Sequence, residues 1–249
     1  MLTSALAEND FAALKAFDTC TISNAIERLH VRPRNEGFAA GSIRCLFPDR
    51  PPMVGYAVTG SVRTSTQPVA GGWYFDSVDW WKHVSTVPAP RVLVLQDVDD
   101  LPGFGAFIGA VHASIAAALG CIGCVTNGAV RDLPASQSMG FQLFASSVSP
   151  SHAYSHLIDW GKPVKIGQLA VADGDLLHGD LHGVCNVPLS IAIRVPAVAR
   201  QLLQEERDLI ELCSSADFSL DALSRMLTRM RRAHDESNPL PTTDRLGLS

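Results

Sequence analysis

The sequence of 249 residues has no apolar run near the length of a membrane span, no basic excess and no dense cysteine pattern. Each absence excludes a class of protein. A helix that crosses a bilayer needs about 20 consecutive apolar residues. Acids at Glu8 and Asp10 replace the charged-then-apolar order of a secretory leader, so no export signal is read. With Lys+Arg at 20 against Asp+Glu at 25, the net charge of -5 lacks the footprint expected of a nucleic-acid binder. Six cysteines scattered along a chain of this length fit a reducing compartment better than a disulfide framework, and the expected location is the cytoplasm. No glycine-rich nucleotide fingerprint stands between a strand and a helix, and no internal repeat or low-complexity tract is found.

What is present describes an ordinary globular chain: 47% apolar and 18% charged residues, enough to bury one sizeable core. With no convincing linker, the economical reading is a single domain over 1–249. Its core covers about residues 15–215, and 216–249 form a helical appendage ending in a frayed tail from Ser237. Residues 9–30 read as one or two helices, with Thr21 or Ser23 as N-cap of the segment carrying Ile22, Ala25, Ile26 and Leu29. Residues 31–53, rich in Pro, Arg and Gly, read as an extended loop. Val54–Arg63, Arg91–Gln96, Ile122–Thr126 and Phe141–Ser146 read as strands, and Lys165–Leu189 as several short strands joined by Gly-Asp turns. Val111–Leu119 is an alanine-rich helix closed by Gly120, and 196–214 and 219–233 are amphipathic helices. Helices alternate with strands in the middle and strands cluster afterwards, which predicts mixed α/β layers rather than a doubly wound parallel sheet.

The chemistry concentrates in one stretch. Gly109-Ala110-Val111-His112 opens the alanine-rich helix, and Gly120-Cys121-Ile122-Gly123-Cys124-Val125-Thr126-Asn127-Gly128-Ala129-Val130 leads through a strand to Arg131-Asp132. Gly128 is read as allowing a tight turn before Arg131. An arginine is a permanently charged fork that holds a carboxylate through two parallel hydrogen bonds. An aspartate is the hard oxygen ligand Mg²⁺ prefers, and Mg²⁺ takes only one or two protein carboxylates. The pair therefore suggests a site for a small oxo acid chelated to a divalent metal; the competing reading is a surface salt bridge at a strand end.

The same stretch resembles the signature of the RraA-like family, which includes the 4-hydroxy-4-methyl-2-oxoglutarate aldolases and the regulators of ribonuclease activity. Three further segments resemble the family in the same order: Thr19–Leu29 its first helix, Val54–Thr59 a strand, and Asp173–Asp175 with Asp180–Val184 its Gly-Asp segment. The resemblance covers roughly residues 15–215. It implies a three-layer β/β/α swivelling-domain-like sandwich, assembled as a homotrimer or homohexamer with active sites at subunit interfaces. It also implies a metal-dependent lyase that performs retro-aldol cleavage or decarboxylation of a small 2-oxo or 2-hydroxy dicarboxylic acid. In that reading Arg131 and Asp132 are catalytic: Arg131 holds the substrate, and Asp132 anchors Mg²⁺ or Mn²⁺. Gly109, Ala110, Val111 and His112 bind the substrate carboxylate through amides at the helix start. The alternative is a non-catalytic regulator that inhibits a partner enzyme.

Two departures from the family pattern stand out. Ala110 occupies the position where the aldolases carry an acid, and Leu133-Pro134-Ala135 replaces the acids that follow Arg-Asp in ribonuclease-regulating members. His112 either compensates or caps and packs the helix start, the second reading being preferred. Glu205 and Glu206 lie where relatives lend a glutamate to a neighbouring site, although a solvated helix face explains them better. Asn24 and Glu27 fall on the first helix, Asn24 where many relatives have an acid. His178, Asp180 and His182 would share one strand face and form a transition-metal set, but their glycines favour a loop. Cys121 and Cys124 have redox spacing but the wrong helix end for a reactive thiolate, so small buried packing is expected. Trp73, Trp80 and Trp81 are read as core or interface residues rather than pocket lining.

Overall fold

A computed structural model describes residues 6–68 and 78–236. The chain opens with α1 (Glu8–Lys15) and α2 (Thr19–Arg28). The N-cap of α2 is Asp18 rather than Thr21 or Ser23: its carboxylate accepts the Thr21 N–H at 2.7 Å, satisfying a donor of the first turn. The loop that follows forms only β1 (Arg44–Cys45) before β2 (Met53–Arg63). Next come α3 (Val78–Thr86), β3 (Arg91–Asp97), β4 (Ala106–Ile108), α4 (Ala110–Ala118), β5 (Cys121–Thr126), β6 (Ala129–Val130), α5 (Leu133–Ser138), β7 (Gln142–Ala145) and β8 (Ser147–Val148). The remainder is β9 (His156–Trp160), β10 (Val164–Ile166), β11 (Leu169–Val171), β12 (Leu176–Asp180), β13 (Gly183–Val187), α6 (Val195–Ser214) and α7 (Leu220–Glu236). Trp73 and the glycine pair at 71–72 lie outside the described residues, as does the tail from Ser237.

The architecture is mixed α/β around a large, nearly closed sheet in the order β1-β7-β5-β3-β2-β12-β13, with β9 alongside the distal half of β2. β2, β3, β5 and β7 pair in parallel, and the antiparallel strands flank them. The register explains why these strands read as continuous apolar runs. Val58, Leu93, Cys124 and Leu143 form one row across the sheet, and Thr59, Val94, Val125 and Phe144 form the next. The first row faces the core shared with the helices; Val94, Val125 and Phe144 face a second core closed by Val164, Ile166, Leu169 and Val171 of the β10–β11 hairpin. Helices on one face and a hairpin on the other give the β/β/α layering. Both faces of each central strand are therefore dry, at roughly 1.5–3 kcal/mol per fully buried aliphatic side chain.

Three of the parallel strands do not end at the sheet. β3 is continued by β4, β5 by β6 and β7 by β8, and these extensions pair in parallel as a small second sheet, β4-β6-β8. The extension lies beyond the C-terminal ends of the parallel strands, where ligands bind in open α/β sheets. Close by, the Asp99 carboxylate ties the end of β2 to the end of β3. It accepts from Thr64 N at 2.7 Å, Ser65 N at 2.8 Å and Ser65 Oγ at 2.7 Å, with Arg63 Nε at 3.3 Å.

Candidate active site

The parallel pairing of β4 with β6 matches Ala106 to Ala129 and Ile108 to Val130, and the Arg131 N–H donates to the Ile108 carbonyl at 2.9 Å. Because both strands end there, Gly109 and Arg131-Asp132 emerge side by side. Gly109 is the N-cap of α4 and Asp132 the N-cap of α5. Asp132 stands in the left-handed region (φ 55, ψ 43), which aspartate tolerates better than most residues. The sharp turn expected of Gly128 is thus made by Asp132. Gly128 has no positive φ, and its missing side chain instead leaves room for the Asp97 carboxylate.

Asp132 Oδ2 accepts the Ala110 N–H at 2.9 Å, so one amide of the α4 first turn is committed to protein rather than left for a ligand. Oδ1 has no hydrogen-bond partner among the described residues, and the side chain is 43% exposed. Arg131 Nε lies 3.7 Å from Asp132 Oδ2, too long for a hydrogen bond, and is buried without an acceptor. None of the guanidinium's donors meets a protein acceptor among the described residues. Gly109 is required by this crowding rather than by its own dihedral: a Cβ there would stand 2.7 Å from Asp132 Oδ2 and 2.9 Å from Arg131 Nε. An uncommitted guanidinium beside a half-exposed carboxylate can take an anion on one side and a hard cation on the other.

Val111 is exposed at the start of α4, whereas His112 is turned into the interior. Its ring lies between Phe107, at 4.7 Å between centroids, and Trp81, at 5.9 Å. Burial, and secondarily the Arg131 cation, push its pKa down to about 4, so it is neutral at physiological pH. Its imidazole therefore packs rather than replacing the acid missing at Ala110. Trp81, expected as a core or interface residue, packs on this ring, whereas nothing in the sequence marks Phe107, because an aromatic in an apolar strand reads like any core residue.

The other candidates separate clearly. Glu205 accepts a two-pronged hydrogen bond from Arg28, at 2.8 and 3.4 Å, across the α2–α6 contact, so it is neither solvated nor lent outward. Glu206 and Asn24 are exposed, and Glu27 pairs with Arg34 at the surface. His178 and Asp180 lie in strand β12 rather than a loop, and they anchor α2. Thr19 N donates to Asp180 Oδ2 at 2.8 Å, and Thr19 Oγ1 meets His178 Nδ1 at 3.0 Å. Burial pushes the Asp180 pKa up, but the backbone N–H groups of Thr19 and His182 outweigh it and leave the carboxyl below its ordinary value. Cys121 and Cys124 are free and buried, with thiol pKa values raised by desolvation, to about 12 for Cys121. Trp80 is fully buried.

No group of three His, Cys, Asp or Glu side chains is arranged to hold a metal among the described residues. The fit to Mg²⁺ or Mn²⁺ therefore rests on Asp132 alone. One carboxylate with a free oxygen fits an ion that keeps several waters and draws other ligands from substrate.

The RraA-like family model, described as Aldolase/RraA, matches residues 19–185, and the chain belongs to that family. No curated protein matches the sequence. Among solved structures, the chain is similar to an uncharacterised protein from Pseudomonas syringae pv. tomato, with 24% identity over 93% of this chain and 97% of that one and a TM-score of 0.68. It is also similar to Streptomyces coelicolor RraAS2, described as an unusual member of the RNase ES inhibitor RraA family, with 20% identity, 82% and 97% coverage and a TM-score of 0.65. A structure described under novel cellulases from gut-associated microbes matches at 17% identity, 84% and 90% coverage and a TM-score of 0.69. At these identities the likeness establishes the fold alone. The family contains both aldolases and ribonuclease inhibitors, so the activity is argued from the site.

Proposed function

We propose that the protein is a divalent-metal-dependent carbon–carbon lyase that cleaves or decarboxylates a small 2-oxo or 2-hydroxy dicarboxylic acid. The observation carrying this reading is the guanidinium of Arg131, uncommitted to any protein acceptor and held beside Asp132 beyond the ends of the parallel strands. A substrate carboxylate satisfies those donors, and the same fixed cation stabilises negative charge that grows on the keto oxygen as the bond breaks. Mg²⁺ or Mn²⁺, when bound, supplies Lewis-acid polarisation of the keto group. Asp132 would hold the ion, while its Oδ2 stays on the Ala110 amide and fixes the carboxylate's direction. First-turn amides of α4 other than that of Ala110 supply further donors for an acidic substrate. The assembly expected is a homotrimer or homohexamer, in the cytoplasm.

The test is pyruvate release from oxaloacetate or from 4-hydroxy-4-methyl-2-oxoglutarate with Mg²⁺ present. EDTA abolishes turnover, and Arg131→Ala lowers kcat/KM by about 100-fold or more. Turnover that persists without metal, or in the Arg131 variant, contradicts the reading. Ala110 favours a second one, a regulator that inhibits a partner enzyme. A folded protein that binds no divalent metal by calorimetry yet inhibits a ribonuclease would carry it.

A further inference from the structure

A cavity of about 910 Å³ opens on the hairpin side of the large sheet, the face opposite α4. Main-chain pairing holds its walls. Residues 37–39 run along the outer edge of β13, where Asn186 N donates to the Gly37 carbonyl and Ala39 N to the Val184 carbonyl, each at 2.9 Å. The Ala40 N–H reaches the Gly167 carbonyl in the β10–β11 turn, and the Asp175 carbonyl accepts from Ala57 N of β2 at 2.7 Å. Preformed cavities of this size are typical of small-molecule sites.

The wall carries two cations, Arg32 and Lys165, and two acids, Glu36 and Asp175. Arg32 lies flat against Gly37, where a Cβ would stand 1.9 Å from the guanidinium carbon and drive the side chain out of its seat. Its two hydrogen bonds go to neutral acceptors, Asn186 Oδ1 and the Gly37 carbonyl, both at 3.3 Å. No carboxylate among the described residues lies within ion-pair distance of it, and burial holds its pKa below the ordinary value. Asp175 is its counterpart. Oδ2 accepts the Ala172 N–H at 2.8 Å, Oδ1 has no hydrogen-bond partner among the described residues, and burial pushes the pKa up. Phe38, 45% exposed, Leu169 and Pro188 add apolar wall. A multiply charged anion would satisfy Arg32 and be repelled by the acids; a lone cation would meet the reverse. A ligand with one charge of each sign satisfies both part-buried groups.

We propose that this cavity binds a small zwitterion of the α-amino-acid class with an apolar side chain, its carboxylate on Arg32 and its ammonium on Asp175. The site shares no residue with the Arg131–Asp132 pair and is independent of the lyase reading.

The experiment is saturation-transfer NMR and calorimetric titration of the full chain with L-leucine at neutral pH. Saturable binding is expected. 4-Methylpentanoate, which lacks the ammonium, and leucinamide, which lacks the carboxylate, should each bind at least about tenfold more weakly. Arg32→Gln should erase the preference for L-leucine over leucinamide and keep that over 4-methylpentanoate, and Asp175→Asn should do the opposite. That crossed pattern is one a folding defect would not give. Arg131→Ala should bind L-leucine like the parent, which separates failure of this site from failure of the lyase reading. No saturable binding of L-leucine by the parent overturns the proposal. So does either analogue binding as tightly as L-leucine, or both variants losing both preferences alike.

Discussion

Gly109 and Asp132 show how tightly the candidate site is specified. Asp132 combines a left-handed backbone, a free Oδ1 and an Oδ2 anchored on Ala110, so Asp132→Asn keeps the turn and removes only the charge. That variant should fold like the parent and lose metal-dependent turnover, measured by melting temperature and pyruvate release. Gly109→Ala pushes a methyl against Asp132 Oδ2 and Arg131 Nε. It should cost about 1–3 kcal/mol in urea unfolding and disarm the site. His112 supplies a pH signature. Its pKa of about 4 in the folded protein lies below the unfolded value of 6.5, so the fold favours the neutral ring. The stability this confers is whole above pH 6.5 and is lost as the pH falls toward 4, by about 3 kcal/mol in all. Buried His178 is lowered in the same sense. Melting temperatures between pH 7.5 and 4.5 should therefore decline, with a shallower slope in His112→Gln. Arg131 and Asp132 stood out in the sequence through their side-chain chemistry and through the family resemblance of the stretch that carries them. The Ala110–Asp132 hydrogen bond was not, since it needs the parallel pairing of two strands that are only three and two residues long.

At the scale of elements, the central strands were legible because both their faces are dry. Arg91–Asp97 and Cys121–Thr126 appear within a residue of their apolar runs. Helix α4 ends at Ala118 with Gly120 just beyond at φ 75, as alanine propensity and a left-handed glycine dictate. Two errors share a cause. Asp18 caps α2, and β12 extends through His178 and Asp180, because tertiary partners decided what local composition left open. The pairing of Arg28 with Glu205 is of the same kind, an ion pair between elements far apart in sequence, with side chains 10% and 17% exposed. Replacing either partner by alanine leaves a largely buried charge alone and should cost about 3 kcal/mol by urea unfolding. The double variant should cost clearly less than the sum; strict additivity would show that the pair does not hold α2 on α6.

For the whole molecule, composition predicted layered α/β and excluded a membrane span; no described helix is long and apolar enough to cross one. The β/β/α order of the layers was implied by the family resemblance and not by composition. Helices pack on one face of the large sheet and the β10–β11 hairpin covers the other, an arrangement fixed by crossovers rather than by any local signal. This geometry delivers β4, β6 and β8 beyond the sheet and brings Gly109 to Arg131. The most direct test is calorimetric titration of oxalate, a planar two-carboxylate stand-in for a chelating 2-oxo acid, with and without Mg²⁺. The account predicts binding that requires Mg²⁺, weakens at least about tenfold in Arg131→Ala and disappears in Asp132→Asn. Binding indifferent to the metal and to both substitutions, or no binding by the folded parent, would contradict it.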